Sequence, residues 1–147
     1  MSFDVGAFLL QTVPFAQTLG IVFDKVEDGY AVCRLPDRAD LHNHVGGPHA
    51  GAMFTLAESA SGAAMLTVFG DQLSRAVPLA MGSQVRYLKL AMGEVAAEAW
   101  LLGDRDAVVA ELDAGRRPEF DVRVEVKNAD GTVVCTLTVS WTLRPNR

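Results

Sequence analysis

The sequence predicts an α+β protein in which an antiparallel sheet wraps around one long central helix. Residues 50–69 form a long run of small and apolar residues, and such a run spans about 30 Å as a helix. Segments with the alternation of β-strands lie on both sides of this run. Turns rich in Gly, Asp and Asn separate neighbouring strand-like segments, as in antiparallel hairpins.

Composition and charge restrict the possible functions. The 147 residues predict a single domain spanning residues 1–147, large enough for a hydrophobic core. A formal net charge of −5 and no long basic run argue against nucleic acid or a membrane as partner. The two cysteines form no CxxC pair, and neither a signal peptide nor a transmembrane pattern is evident. We therefore expect a cytoplasmic protein with reduced thiols.

The segments before the central helix are predicted as a broken helix and a hairpin. Asp4 can cap a helix that begins the chain, Pro14 interrupts it, and Gly20 ends it. The helical pair is predicted over residues 4–19, and the two strands over residues 21–26 and 30–35. A polar, turn-rich connection covers residues 36–48.

The segments after the central helix are predicted as four strands with one inserted helix. The first strand-like segment, residues 76–91, contains an irregularity near Gly82. Asp104 can cap the inserted helix, residues 104–115. The other three strands are predicted over residues 95–102, 120–126 and 132–143.

One carboxylate stands alone in the predicted central helix. From Ala50 to Gly70, only Glu58 carries a formal charge. In an exposed position it would be an ordinary solvated side chain. In a buried position, desolvation would raise its pKa, and it could then act as a general base or as a nucleophile.

The start of the same helix offers a second candidate group. His49 immediately precedes the predicted helix, whose first N–H groups have no partner within the helix. The N–H groups of Ala50 and Gly51, aided by the helix dipole, could stabilise a developing oxyanion. The simpler interpretation is that His49 only caps the helix or closes the preceding loop.

The polar loop before the helix contains three histidines. His42, His44 and His49 fall within eight residues, but they lack a carboxylate and the spacing of a zinc site. We therefore predict neither a metal nor another cofactor. Asn43, in the same loop, is of a residue type that most often serves to form turns.

The order of elements and the motif HNHVGGPHAGAMFTLAE, residues 42–58, resemble the hotdog-fold acyl-CoA thioesterases. The closest group is the PaaI-like branch, in which an Asn, a His and a helix carboxylate follow at the spacing of Asn43, His49 and Glu58. The segment from the inserted helix onward is similar to an uncharacterised hotdog branch. Since the hotdog fold hosts several activities, a function taken from it is an analogy.

The resemblance implies hydrolysis of acyl-CoA or a related acyl thioester. Asn43 and His49 would position the thioester, the N–H groups of Ala50 or Gly51 would polarise its carbonyl, and Glu58 of a partner subunit would activate water or attack. It also implies a homodimer that pairs again into a homotetramer. Candidate substrate-binding residues are Met53, Phe54, Met81 and Ser83.

Two departures from the family pattern keep other functions open. Ala50 replaces a glycine, and Ala80 and Met81 occupy positions where relatives often carry a Ser or Thr. A non-catalytic acyl-CoA-binding or structural hotdog dimer is therefore the main alternative. A hotdog hydratase is a further alternative, which the lack of an Asp-x-x-x-x-His pair in the loop disfavours.

Overall fold

The long helix predicted from the sequence forms the centre of the computed structural model, which describes residues 3–147. Helix α3 spans Ala50–Phe69, as predicted, and 13 of its 20 residues are buried. Many of the buried residues are alanines, and their small side chains let the sheet approach closely. With the turn that follows, this helix is long and apolar enough to cross a membrane, but 67% of its most apolar stretch is buried inside the fold.

Six antiparallel strands form one sheet around α3, in the order β1-β2-β4-β5-β6-β3. The concave face of the sheet packs against α3, because alternate residues of the central strands are buried. Cys33 and Cys135 are both free and buried in this core. The strands are β1 (Val22–Glu27), β2 (Tyr30–Leu35), β3 (Ala76–Tyr87), β4 (Val95–Leu101), β5 (Glu119–Asn128) and β6 (Val133–Pro145).

Two short helices precede the sheet, as predicted. Helix α1 spans Val5–Thr12 and is capped by the side chain of Asp4. Pro14 occupies the first turn of α2, Pro14–Leu19, where its missing N–H costs nothing. Gly20 ends α2 in the left-handed conformation (φ 71°), which glycine adopts without strain. The inserted helix α4 spans Arg105–Asp113.

Strand β3 is shorter than predicted, because it ends at Tyr87 and not at residue 91. The N–H groups of Leu88 and Lys89 both reach the carbonyl of Val134, at 2.8 and 3.3 Å, so the regular ladder stops there. The irregularity near Gly82 is confirmed as a β-bulge between Ala80 and Gly82. The remaining boundaries lie within two residues of the predicted ones.

Candidate active site

The loop before α3 is closed by the side chain of Asn43. Its Oδ1 accepts hydrogen bonds from the backbone N–H groups of Val45 (3.0 Å) and Gly47 (3.1 Å). Its Nδ2 donates to the carbonyl of Pro48 at 3.3 Å. Asn43 therefore holds its own loop as an Asx-type turn. Because Nδ2 carries two hydrogens, the amide keeps a second donor that makes no hydrogen bond within residues 3–147.

His49 caps the N-terminus of α3. Its Nδ1 accepts a hydrogen bond from the N–H of Gly51 at 2.8 Å, so a neutral His49 carries its proton on Nε2. Within residues 3–147 the N–H of Ala50 has no partner, whereas that of Gly51 is occupied. Of the two predicted oxyanion donors, Ala50 is therefore the one with an available hydrogen. The hydroxyl of Tyr87 donates to the carbonyl of Ala50 at 3.1 Å, which ties the helix start to the end of β3.

Glu58 lies two turns further along α3 and faces an apolar cavity. Its side chain is partly buried, and among residues 3–147 its carboxylate accepts no hydrogen bond. Burial raises the pKa of Glu58 above its ordinary value. A carboxylate that is desolvated without a compensating donor is costly to the fold, and such groups cluster at functional sites.

The cavity beside Glu58 has a volume of about 280 Å³. Ser61 Oγ donates a hydrogen bond to the backbone carbonyl of Glu58 at 2.7 Å. Trp141 Nε1 donates a hydrogen bond to Ser61 Oγ at 3.1 Å. This pair of hydrogen bonds fixes the indole ring as one wall. The other lining residues are mostly apolar and come from α1, α2, α3, the sheet and the connections between them: Phe8, Leu9, Val13, Ala16, Phe23, Ser59, Gly62, Met65, Leu66, Leu73 and Pro78.

The two candidate groups lie near opposite ends of β3. The loop and helix start are tied to Tyr87 at the end of this strand, whereas the cavity beside Glu58 is lined by Pro78 near its beginning. Eight residues of helix separate Ala50 from Glu58, which is about 12 Å along the axis. Within one chain they therefore cannot act on the same carbonyl group.

The predicted substrate-binding residues lie outside this cavity. Met53 is buried in the core, and Phe54 is partly buried against it. Met81, the bulged residue of β3, and Ser83 are exposed on the edge strand. The role of these four residues in substrate binding stays a prediction.

No sequence pattern predicts the cavity walls that α1 and α2 contribute. Phe8, Leu9 and Val13 line the cavity, but a helical pattern over residues 4–19 does not indicate what these side chains cover. The spacing within α3 carried a usable signal, because Glu58, Gly62 and Met65 follow at intervals of four and three residues and so share one helix face.

A larger groove, of about 900 Å³, lies at the other end of α3. Its lining includes Asp71 and Arg105, which form an ion pair at 2.6 Å with both side chains substantially exposed. None of the predicted site residues lines this groove. Its charged groups are solvated or paired, so the Glu58 cavity remains the stronger candidate site.

Comparison with known families gives one match. The model of a domain of unknown function, DUF4442, matches residues 4–143. No curated protein sequence matches the chain.

Comparison with solved structures gives similar folds in several bacteria. A Pseudomonas aeruginosa protein of unknown function, described as a probable thioesterase, is 28% identical with a TM-score of 0.85, over 99% of both chains. The TT0310 protein of Thermus thermophilus is 28% identical with a TM-score of 0.68, over 89% of this chain and 97% of its own.

A third similar structure comes from Escherichia coli. The PaaI protein of the phenylacetic acid degradation operon has a TM-score of 0.73 over 94% of this chain and 88% of its own. At 18% identity, this similarity shows a shared fold and nothing about function. The predicted hotdog fold is confirmed, and the match to the DUF4442 model agrees with the similarity to an uncharacterised branch.

Proposed function

The chain belongs to the DUF4442 family and has the hotdog fold of thioesterases, and on this premise we propose that it hydrolyses acyl-CoA or a related acyl thioester. The observation that carries the proposal is Glu58. Its carboxylate is desolvated, has a raised pKa, and faces an apolar cavity that could hold an acyl group. A structural side chain in this position would more simply be apolar.

Glu58 acts in this proposal as a general base or as a nucleophile. A raised pKa brings its basicity closer to the working pH, which favours proton abstraction from water. The same desolvation also makes the carboxylate a stronger nucleophile toward the thioester carbonyl. A trapped acyl-enzyme would select the nucleophilic route.

The start of α3 supplies the groups that polarise the carbonyl. The N–H of Ala50 points from the helix N-terminus, where the dipole adds positive potential. His49, with its proton on Nε2, and the second Nδ2 hydrogen of Asn43 are further donors. Together they would stabilise the negative charge that develops on the thioester oxygen.

We propose that two subunits combine to complete each site. Strand β3 is an exposed edge of 12 residues in which only Arg86 carries a formal charge, and such an edge invites strand pairing. Antiparallel pairing about Gly82 would set Tyr87 of one chain opposite Val77 of the other. The loop of one subunit would then approach the Glu58 cavity of its partner. Further pairing into a homotetramer stays a prediction.

The test compares wild type with Glu58→Ala and Glu58→Gln on a panel of acyl-CoA thioesters. We expect both variants to lose about 10²-fold or more in kcat, as for removal of a general base. Glu58→Gln keeps the shape of the side chain, so it controls for packing. Equal rates for wild type and both variants would exclude Glu58 from the reaction.

A second candidate function is non-catalytic binding of acyl-CoA. Ala80 and Met81 on β3 favour it, because neither side chain can supply the hydroxyl that relatives often place opposite the catalytic carboxylate. Calorimetry that detects acyl-CoA binding without turnover would select this function. Hydration of crotonyl-CoA would select the hydratase alternative.

A further inference from the structure

We infer that the cavity beneath α1 and α2 receives the acyl group, and that it selects uncharged, apolar acyl groups of limited size. The inference rests on the proposed function and specifies its substrate class. Helices α1 and α2 build one wall of this cavity, and they belong to the same subunit as Glu58. The residues that carry it are Leu9 of α1, Gly62 of α3 and Trp141 of β6.

The lining of the cavity determines which acyl groups it favours. Apart from Glu58 and Ser59, the side chains that line it are apolar or, in Trp141, aromatic with the indole N–H already bonded to Ser61. The cavity therefore offers almost no hydrogen bonds to a polar acyl group. Transfer of an apolar group into it is favourable in proportion to the apolar surface removed from water.

The volume of the cavity sets the size limit. An engineered apolar cavity of about 150 Å³ binds benzene, and this cavity, at about 280 Å³, is nearly twice that size. At roughly 30 Å³ for each water-sized group, it would hold about eight to ten non-hydrogen atoms. A straight acyl chain of about eight carbons, or an aromatic ring with a short linker, has this size.

Gly62 of α3 and Trp141 of β6 both line the cavity and lie close to each other. A Cβ atom built on Gly62 would meet Cη2 and Cζ2 of Trp141 at 3.6 Å, which is ordinary van der Waals contact. A methyl group therefore fits at this position without displacing the indole ring, and it occupies space that glycine leaves to a ligand. Gly62→Ala therefore reduces the volume of the cavity while improving the intrinsic helix propensity of α3.

Glu58 accounts for the exclusion of charged acyl groups. A dicarboxylic acyl group such as succinyl would bring a second carboxylate into the same desolvated space. Two like charges in a medium of low dielectric repel strongly. Binding of such a group should therefore be weak compared with an uncharged chain of equal length.

The experiment measures binding of non-hydrolysable S-alkyl-CoA thioethers of increasing length by calorimetry. For wild type, affinity should rise by about fourfold per methylene, the value for full apolar burial, and stop rising near eight carbons. Gly62→Ala should reach this limit about one carbon earlier, and Leu9→Ala should reach it later. Leu10→Ala is the matched control, because Leu10 is the adjacent, partly buried residue of α1 and lies outside the cavity lining.

Parallel hydrolysis assays separate failure of this inference from failure of the proposed function. If wild type hydrolyses thioesters but the length limits of Gly62→Ala and Leu9→Ala coincide with that of Leu10→Ala, the acyl group lies elsewhere and this inference is overturned. If the length limits shift as expected but no thioester is hydrolysed, the acyl site stands and the hydrolytic function is wrong. Equal affinity for succinyl and uncharged thioether analogues would overturn the charge exclusion.

Discussion

The two halves of the candidate site differ in how their polar groups are satisfied. In the loop before α3, Asn43 and His49 use their side chains to bind backbone groups of the same loop and of the helix start. Glu58 is desolvated and has no hydrogen-bond donor within residues 3–147. The loop therefore holds its shape through its own hydrogen bonds, whereas the partly buried carboxylate of Glu58 depends on solvent or a ligand for hydrogen bonds.

This contrast has an energetic consequence. Each satisfied hydrogen bond of the loop contributes on the order of 1 kcal/mol to stability, and so the loop should form without ligand. The desolvated carboxylate of Glu58 makes an unfavourable contribution and lowers the free energy of unfolding. Strain or unfavourable burial of this kind is retained where function requires it. Substitutions in the loop should therefore lower the free energy of unfolding, whereas removal of the charge of Glu58 should raise it.

The largest expected effect comes from Asn43→Ala. Three hydrogen bonds from the side chain to backbone atoms are lost, so the free energy of unfolding should fall by about 2–3 kcal/mol. Urea denaturation measures this change. His44→Ala is the control, because His44 is exposed in the same loop and should shift stability by less than about 0.5 kcal/mol. Equal losses in the two variants would show that the Asn43 hydrogen bonds do not hold the loop.

A smaller effect is expected from His49→Ala. Removal of a helix N-cap lowers the free energy of unfolding by about 1 kcal/mol. His49→Asn keeps a capping acceptor and should restore most of the stability while removing the Nε2 donor. If His49 also contacts substrate, His49→Asn should be stable but should show a raised KM or a lowered kcat. Full activity in His49→Asn would limit the residue to capping.

The smallest effect, and the one of opposite sign, is expected from Glu58→Gln. Since burial raises the pKa of Glu58 in the folded chain, ionisation costs more folded than unfolded. This penalty is absent below the ordinary glutamate pKa of about 4.3 and is complete above the raised pKa. Thermal melts should therefore show equal stability of variant and wild type near pH 4, and a more stable variant at pH 8.

The control for this pH dependence is Glu119→Gln, which changes an exposed glutamate at the start of β5. It should leave the difference from wild type nearly constant over the same pH range. If Glu58→Gln instead became less stable than wild type as pH rises, the ionised carboxylate of Glu58 would have a favourable partner in solution.

Much of the fold could be predicted because local signals were strong. The boundaries of α3 follow from a run of small and apolar residues that starts after His49 and stops before Gly70. The break at Pro14 follows from the chemistry of one residue. The end of β3 could not be predicted, because the apolar alternation continues through Leu88 and Leu90 while the hydrogen-bond ladder stops.

The candidate site could be predicted only in part. The spacing of Asn43, His49 and Glu58 indicated the candidate residues through a family resemblance, and their catalytic roles stay predictions. The engagement of the Gly51 N–H by His49 depends on a side-chain rotamer, which sequence does not specify. The walls of the Glu58 cavity depend on how α1 and α2 pack over α3, a long-range arrangement that no local pattern encodes.

The order of strands in the sheet has a consequence for how the chain folds. Strand β3 pairs with β6 alone within the sheet, and β6 follows it only after two further strands and a helix. Contacts between segments so distant in sequence form slowly. Strand β3, the edge proposed for dimerisation, should thus be among the last parts to assemble, and an unpaired β3 would leave folding intermediates prone to aggregation.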